Sequence, residues 1–237
     1  MGSEEEFSFN IASGDGSHAE GYLTSAVGFA AHAEGGGLGY NNHLAEGDYS
    51  HVEGHINKAK GAASHAEGTR TEAIGMAAHT GGKNTKAQGD YSFAHGEEAV
   101  ARGKAAIAMG ASDGKYITRD YNVVYGEYRD NVHTISLTAS GDGAHAEGNS
   151  SKASGKGSHA EGSYLTANGY AYNYNNMGYG TRVTVDYPYP TTASGEGAHA
   201  EGLGTIAQGI GSHAEGGGIS SQSHEWTPSG GIPRSDN

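Results

Sequence analysis

The chain has 237 residues, of which 42 are glycine and none is cysteine, and only 35% are hydrophobic. Its formal net charge is -13 at pH 7. This balance excludes disulfide and thiol chemistry, disfavours nucleic acid and anionic membrane surfaces as partners, and leaves too little large apolar material for an ordinary globular core.

Residues 1–10 carry the run Glu4-Glu5-Glu6 and read as a solvated N-terminal tail. They lack the basic and apolar regions of a signal peptide. No stretch approaches about eighteen apolar residues, so no membrane insertion is expected.

From residue 11 to 216 one unit dominates, Ala-x-Gly, returning every seven residues. Its glycines run from Gly14 to Gly35, Gly47 to Gly110, Gly141 to Gly169 and Gly195 to Gly216. Only Val52 and Thr80 replace the alanine that stands two positions before each glycine. In an extended x-Ala-x-Gly the two x side chains share one face and alanine takes the other. Alanine suits the inside of a very narrow coil. Glycine suits the corner, where the backbone turns sharply. A collagen reading fails because glycine is not at every third position, and a coiled coil would need large apolar a and d residues.

Alternate units differ, which doubles the true period to fourteen residues. One class reads His-Ala-Glu-Gly, beginning at His18, His32, His65, His145, His159, His199 and His213, with His51-Val52-Glu53-Gly54 a close variant. The other is variable, with outward pairs such as Ser25/Val27, Lys58/Lys60, Lys86/Gln88 and Ile206/Gln208. The fold expected is all-β: a parallel β-roll or β-solenoid of 14-residue coils, each made of two 7-residue strand-turn units. The variable face suits solvent. The constant face turns apolar at Phe93, Ile107 and Met109. An apolar stripe on an alanine-filled coil predicts an interface, because so thin a coil buries little surface by itself.

These repeats resemble the head domains of trimeric autotransporter adhesins, nearest at Ala106-Ile107-Ala108-Met109-Gly110. The Ser-His-Ala-Glu-Gly version, at Ser17 to Gly21 and Ser158 to Gly162, is similar to repeats of phage tail-fibre and prophage proteins. The resemblance implies a left-handed parallel β-roll, trimeric, with the constant strands turned toward the threefold axis. It therefore implies axis-facing residues His18, Glu20, His32, Glu34, His51, Glu53, His65, Glu67, Phe93, Ile107, Met109, His145, Glu147, His159, Glu161, His199, Glu201, His213 and Glu215. His and Glu stand where the adhesin motif has Val and Ile, which fits a partly polar axis. Each layer then pairs histidine with glutamate, in a ladder expected to be most stable in mildly acidic solution. No cofactor is required, although such layers admit an axial metal or anion.

Three insertions interrupt the ladder, at about 36–42, 111–137 and 170–191. The second reads as an inserted β-hairpin arm, with strand propensity in Tyr-Asn-Val-Val-Tyr and His-Thr-Ile-Ser-Leu. The third is rich in tyrosine. Tyr170, Tyr172, Tyr174, Asn175, Asn176 and Tyr179 are its candidate ligand-binding residues, since tyrosine and asparagine stack on and hydrogen-bond to sugars. Phase counting leaves one constant-face strand missing between Thr166/Asn168 and Thr192/Ser194, and Val183 and Val185 are expected to supply it. Twelve coils and a ladder of about 55–60 Å follow. Residues 217–237 lose the repeat and read as a C-terminal cap or tail around Trp226.

The expected function is structural: a shaft or head segment of a trimeric phage tail fibre or surface adhesin, on a virion or a bacterial cell surface. Its partners are two further copies of itself and a host-surface glycan or protein receptor. A purely structural stalk is the alternative. No catalysis is expected, because a motif copied along a ladder is not one distinct constellation. A fibre-borne polysaccharide depolymerase would need paired carboxylates drawn from Asp120, Glu127, Asp130 and Asp186.

Overall fold

A computed structural model describes residues 9–37, 43–112, 114–122, 127–174 and 180–217. They form a two-sheet solenoid. Each sheet has eleven strands, all pairing in parallel, and the chain alternates between the sheets at every turn. The variable sheet runs from Ile11–Ala12 to Ile206–Ala207, and the histidine–glutamate sheet from His18–Tyr22 to His213–Gly217. Register is strict: Lys58 lies over Glu72 and Ala59 over Ala73, while His145 lies over His159 and Glu147 over Glu161.

Alanine fills the inside as its pattern predicts. Ala26, Ala59, Ala87 and Ala153 of one sheet, and Ala33, Ala66, Ala108 and Ala160 of the other, are fully buried. Each buried methyl contributes only about 0.8 kcal/mol. The coil is therefore held largely by its hydrogen-bond ladders, which join each turn to the next. Val27 N–H donates to Ala45 O and Lys60 N–H to Ala73 O, both at 2.8 Å.

Glycine has two different jobs. On the variable strands Gly75 has no unusual φ, but a methyl there would overlap the carbonyl of Gly89 in the next coil. On the opposite strands glycine also adopts positive φ, as at Gly54 with φ 93°. The turn residues tolerate the left-handed region without glycine: Tyr49, Ala63, Arg70 and even β-branched Ile56 lie at φ 54–58°.

A column of buried polar residues, invisible in the heptad pattern, lines the corner that leads into the variable sheet. Thr24, His43, Asn57, Thr71, Thr85, Ser151 and Thr191 are all buried there. All but Thr24, whose hydroxyl makes no hydrogen bond, cap loop carbonyls that the turn leaves unpaired. Asn57 donates to Glu53 O and Gly68 O, and accepts from Thr71 N–H at 2.9 Å.

All three insertions leave the solenoid at this same corner. Ser112 donates its hydroxyl to Glu98 O at 2.8 Å and accepts the N–H of Leu137 at 2.7 Å, so one side chain ties the departing chain to the returning one. Thr191 does the same after the third insertion, its one hydroxyl proton within reach of Ser163 O at 2.7 Å or Gly202 O at 2.8 Å. Beyond these ties Gly114–Asn122 pairs antiparallel with Glu127–Ile135, and Leu165–Tyr174 with Gly180–Tyr189.

The third insertion corrects the phase count. Both sheets close directly across it, with Lys152 over Thr192 and His159 over His199, so no strand is missing. Thr166 and Asn168 do not belong to the ladder; they lie in the antiparallel strand Leu165–Tyr174. Val183 and Val185 lie in its partner and add nothing to the constant face. The Ala167-x-Gly169 match was a chance continuation of the repeat. Eleven coils at about 4.8 Å then give a ladder about 53 Å long, one coil shorter than expected. Residues 38–42, and the region around Trp226, lie outside the described residues.

Candidate functional site

The outward face of the histidine–glutamate sheet is the most regular chemical feature. In the motif His-Ala-Glu the alanine points inward, so both polar side chains must point out on the same side. Parallel in-register pairing then stacks like on like. The imidazoles of His32, His51 and His65 lie parallel with centroids 4.8 Å apart, and those of His145, His159 and His199 repeat this at 4.7–4.8 Å. That spacing is the strand separation itself.

Carboxylates flank the rings in two patterns. His18 meets Glu20 of its own strand at 3.4 Å, but the next histidines of the first half lean toward the glutamate of the preceding coil: His51 to Glu34 at 3.8 Å, His65 to Glu53 at 3.7 Å and His79 to Glu67 at 3.5 Å. In the second half the partner is in the same strand: His145 to Glu147 at 3.2 Å and His159 to Glu161 at 3.5 Å. Nε2 of His32, His51, His65, His79, His145, His159 and His199 is shielded by its neighbours yet makes no hydrogen bond. Carboxylates stand 3.2–3.8 Å from five of these nitrogens without hydrogen-bond geometry, so the face is incompletely paired in a single chain. Regularly spaced triads such as His145/Glu147/His159 and Glu53/His65/Glu67 bring their ligand atoms within 4.8 Å of one another and are able to coordinate a metal ion. A cleft of about 420 Å³ runs beside the first rings, lined by Glu20, Glu34 and Glu53.

In mid-stripe the pattern changes. Phe93 packs edge-on against His79, and Ile107 and Met109 remain 37% and 40% exposed. The other sheet presents an ordinary charged surface, where Lys60 and Lys86 both reach Glu72, at 2.8 and 3.3 Å. Partial burial alone would raise the Glu72 pKa, but the two ammonium groups outweigh it and lower it.

The titration of the stripe differs from the sequence expectation. Burial lowers the pKa of His65, and the neighbouring His79 and His51 add to that; burial, His145 and His199 do the same to His159. Stacking puts like charges one strand apart, an effect the pairwise His/Glu reading omitted. Buried His43 shifts the same way, chiefly by desolvation. Its Nε2–H donates to Glu34 O at 2.7 Å and its Nδ1 accepts from Asn57 N–H at 3.2 Å, an arrangement only the neutral ring can make. A histidine with a depressed folded pKa contributes stability that is present above the unfolded pKa, near 6.5, and lost as pH falls through the folded value. Maximum stability is therefore expected at neutral pH or above, not in mild acid. Melting curves between about pH 7 and pH 4 should show a falling midpoint, and His43→Thr, which restores the residue type of the column, should flatten that slope. A slope unchanged by His43→Thr would exclude His43 as its source.

The candidate ligand residues of the third insertion fall partly within the described chain. Tyr170, Tyr172 and Tyr174 occupy alternate positions of one strand, opposite Thr184, Arg182 and Gly180. Asn175, Asn176 and Tyr179 lie outside the described residues. Strands Gly114–Asn122 and Gly180–Tyr189 run close to each other, so the two antiparallel pairs share one edge of the solenoid. Sequence reasoning missed His43, whose signal was its register with Thr24 and Asn57, and His95, which stands at a glutamate position of the ladder.

No protein-family model matches the chain, and a search of curated proteins finds no match. Among the described residues no helix is long and apolar enough to cross a membrane.

Proposed function

We propose that this chain is one third of a left-handed trimeric β-roll, a shaft or head segment of a phage tail fibre or a bacterial surface adhesin, and not an enzyme. The observation that carries the reading is the stripe itself. Phe93, Ile107 and Met109 are apolar side chains facing outward from a coil filled mainly with alanine, in line with histidines whose shielded Nε2 atoms make no hydrogen bond within the chain. Two further copies packed around a common axis cover the first and supply partners to the second. The antiparallel arms, gathered on one edge away from that face, are then free to contact a host-surface glycan or protein through Tyr170, Tyr172 and Tyr174. Repetition supports a structural role, since the solenoid offers the same His/Glu geometry in layer after layer.

Sedimentation equilibrium tests the assembly: a mass three times that of the chain is expected at micromolar concentration, and a folded monomer would refute it. A glycan array with a hydrolysis readout tests the rest, with binding and no turnover as the expected result. Turnover would move the function to a depolymerase.

A further inference from the structure

The ladder departs from its own rule over three successive coils of the histidine–glutamate face, and the first of them does so with a glycine. Where neighbouring coils have His-Ala-Glu, residues 79–81 read His79-Thr80-Gly81, and in the coil above Phe93-Ala94-His95 puts an imidazole in the glutamate position. Gly81 is buried, and its φ is not in the left-handed region, so backbone conformation does not explain the glycine. Space does. A Cβ at 81 would lie 2.6 Å from His95 Cδ2, 2.9 Å from Glu67 Oε1 and 3.1 Å from His95 Nε2. The missing side chain leaves a small hollow over Gly81 into which the Glu67 carboxylate leans from below and the His95 imidazole from above.

A third ligand atom reaches the same place. His79 Nε2 stands 3.5 Å from Glu67 Oε1, is shielded from solvent and makes no hydrogen bond. Donor atoms about 2.0–2.1 Å from a tetrahedral divalent ion sit about 3.4 Å from each other, so this separation is already that of two ligands on one ion. Phe93 flanks both rings, 5.2 Å from His79 and 6.1 Å from His95, and presents an apolar wall to the hollow. Apolar surroundings of this kind strengthen a metal site by limiting water.

We infer that Glu67, His79 and His95 form a single divalent transition-metal site over Gly81, distinct from the repeated layers. The donor set, two imidazoles and one carboxylate, suits zinc, cobalt or nickel rather than calcium or magnesium. His95 is exposed, and its Nε2 and Glu67 Oε1 both lie about 3 Å from the same point over Gly81. Sites of the repeated layers have a glutamate in place of Gly81, which fills the hollow. All three ligands come from one chain, so the site does not depend on the trimer.

The full-length protein, stripped with chelator, is titrated with Co2+ and followed by visible absorption, with metal analysis after gel filtration and mass measured on the same samples. One tightly held cobalt per chain is expected. His95→Gln should weaken it at least about tenfold. Gly81→Ala, which removes no ligand but fills the hollow, should weaken it likewise. His55→Gln, at an exposed imidazole outside the stripe, should leave it unchanged. Circular dichroism of the metal-free variants checks that each remains folded, and His79→Gln replaces His95→Gln if that variant does not. No bound cobalt, cobalt that survives His95→Gln and Gly81→Ala, loss caused by His55→Gln, or one ion per three chains would each overturn the assignment. A monomer that still binds one cobalt would refute the trimer and leave this site standing.

Discussion

Gly75→Ala is expected to abolish the folded coil stack, while Gly209→Ala leaves it intact. Both glycines stand at the same place in the repeat, at the end of a variable strand. A methyl on Gly75 would overlap the carbonyl of Gly89 and come within 2.7 Å of Asp90 N. Those atoms are backbone, with Gly89 O held in its own turn by Ser92 N–H at 3.2 Å, and no side-chain rotation relieves the overlap. The coils would have to separate locally, breaking parallel hydrogen bonds on both sides of the substitution. A cost of about 4 kcal/mol or more is expected, in the range reached only when a mutation forces core or backbone rearrangement. Gly209 sits in the last described coil, where a methyl would meet only Ser212, at an ordinary 3.5 Å. Thermal melts by circular dichroism should show no native transition, or one far lower, for the first variant and an unshifted one for the second. Equal effects would mean that the glycines are conserved in the repeat for their conformation and not for the closeness of the coils.

Replacing Ile107 and Met109 together by Asp is expected to turn the proposed trimer into folded monomers. The two positions are 37% and 40% exposed in the single chain, so its own coil gains no buried charge. Around a threefold axis the same change would crowd six carboxylates with no cation among them, and unpaired buried charge is far more costly than the apolar contact it replaces. Association should fall below detection at micromolar protein while the far-ultraviolet spectrum is retained. Ile74→Asp is the control, because Ile74 is equally exposed, at 37%, but lies on the variable sheet. A doubly substituted chain that still sediments as a trimer would place the contact on another face.

The sequence made the solenoid legible because its two constraints act at single residues. Alanine is needed where two sheets nearly touch, and glycine where successive coils do, so each coil writes both into the chain. The outward direction of His145 and Glu147 followed from strand alternation alone. Three things were not legible. The match at Ala167 to Gly169 satisfied the pattern by composition, and only the direct pairing of His159 with His199 shows that it lies outside the ladder. The ring stacking that lowers the pKa of His65 and His159 depends on the spacing between coils, which no local motif displays. The role of Gly81 depends on His95, fourteen residues onward but its direct neighbour in register. Each miss is a relation between coils, and the repeat unit describes only one.

The corner shared by all three insertions bears on how such a protein meets a surface. Because Ser112 and Thr191 fasten each arm at the same angular position, arms from different coils form a row along one edge instead of a spiral. In a threefold assembly there would be three such rows. A cell surface presenting many copies of one weakly held sugar would then be gripped at several points together. Each further contact would be made by an arm already held nearby, so avidity would rise well beyond the affinity of any single arm.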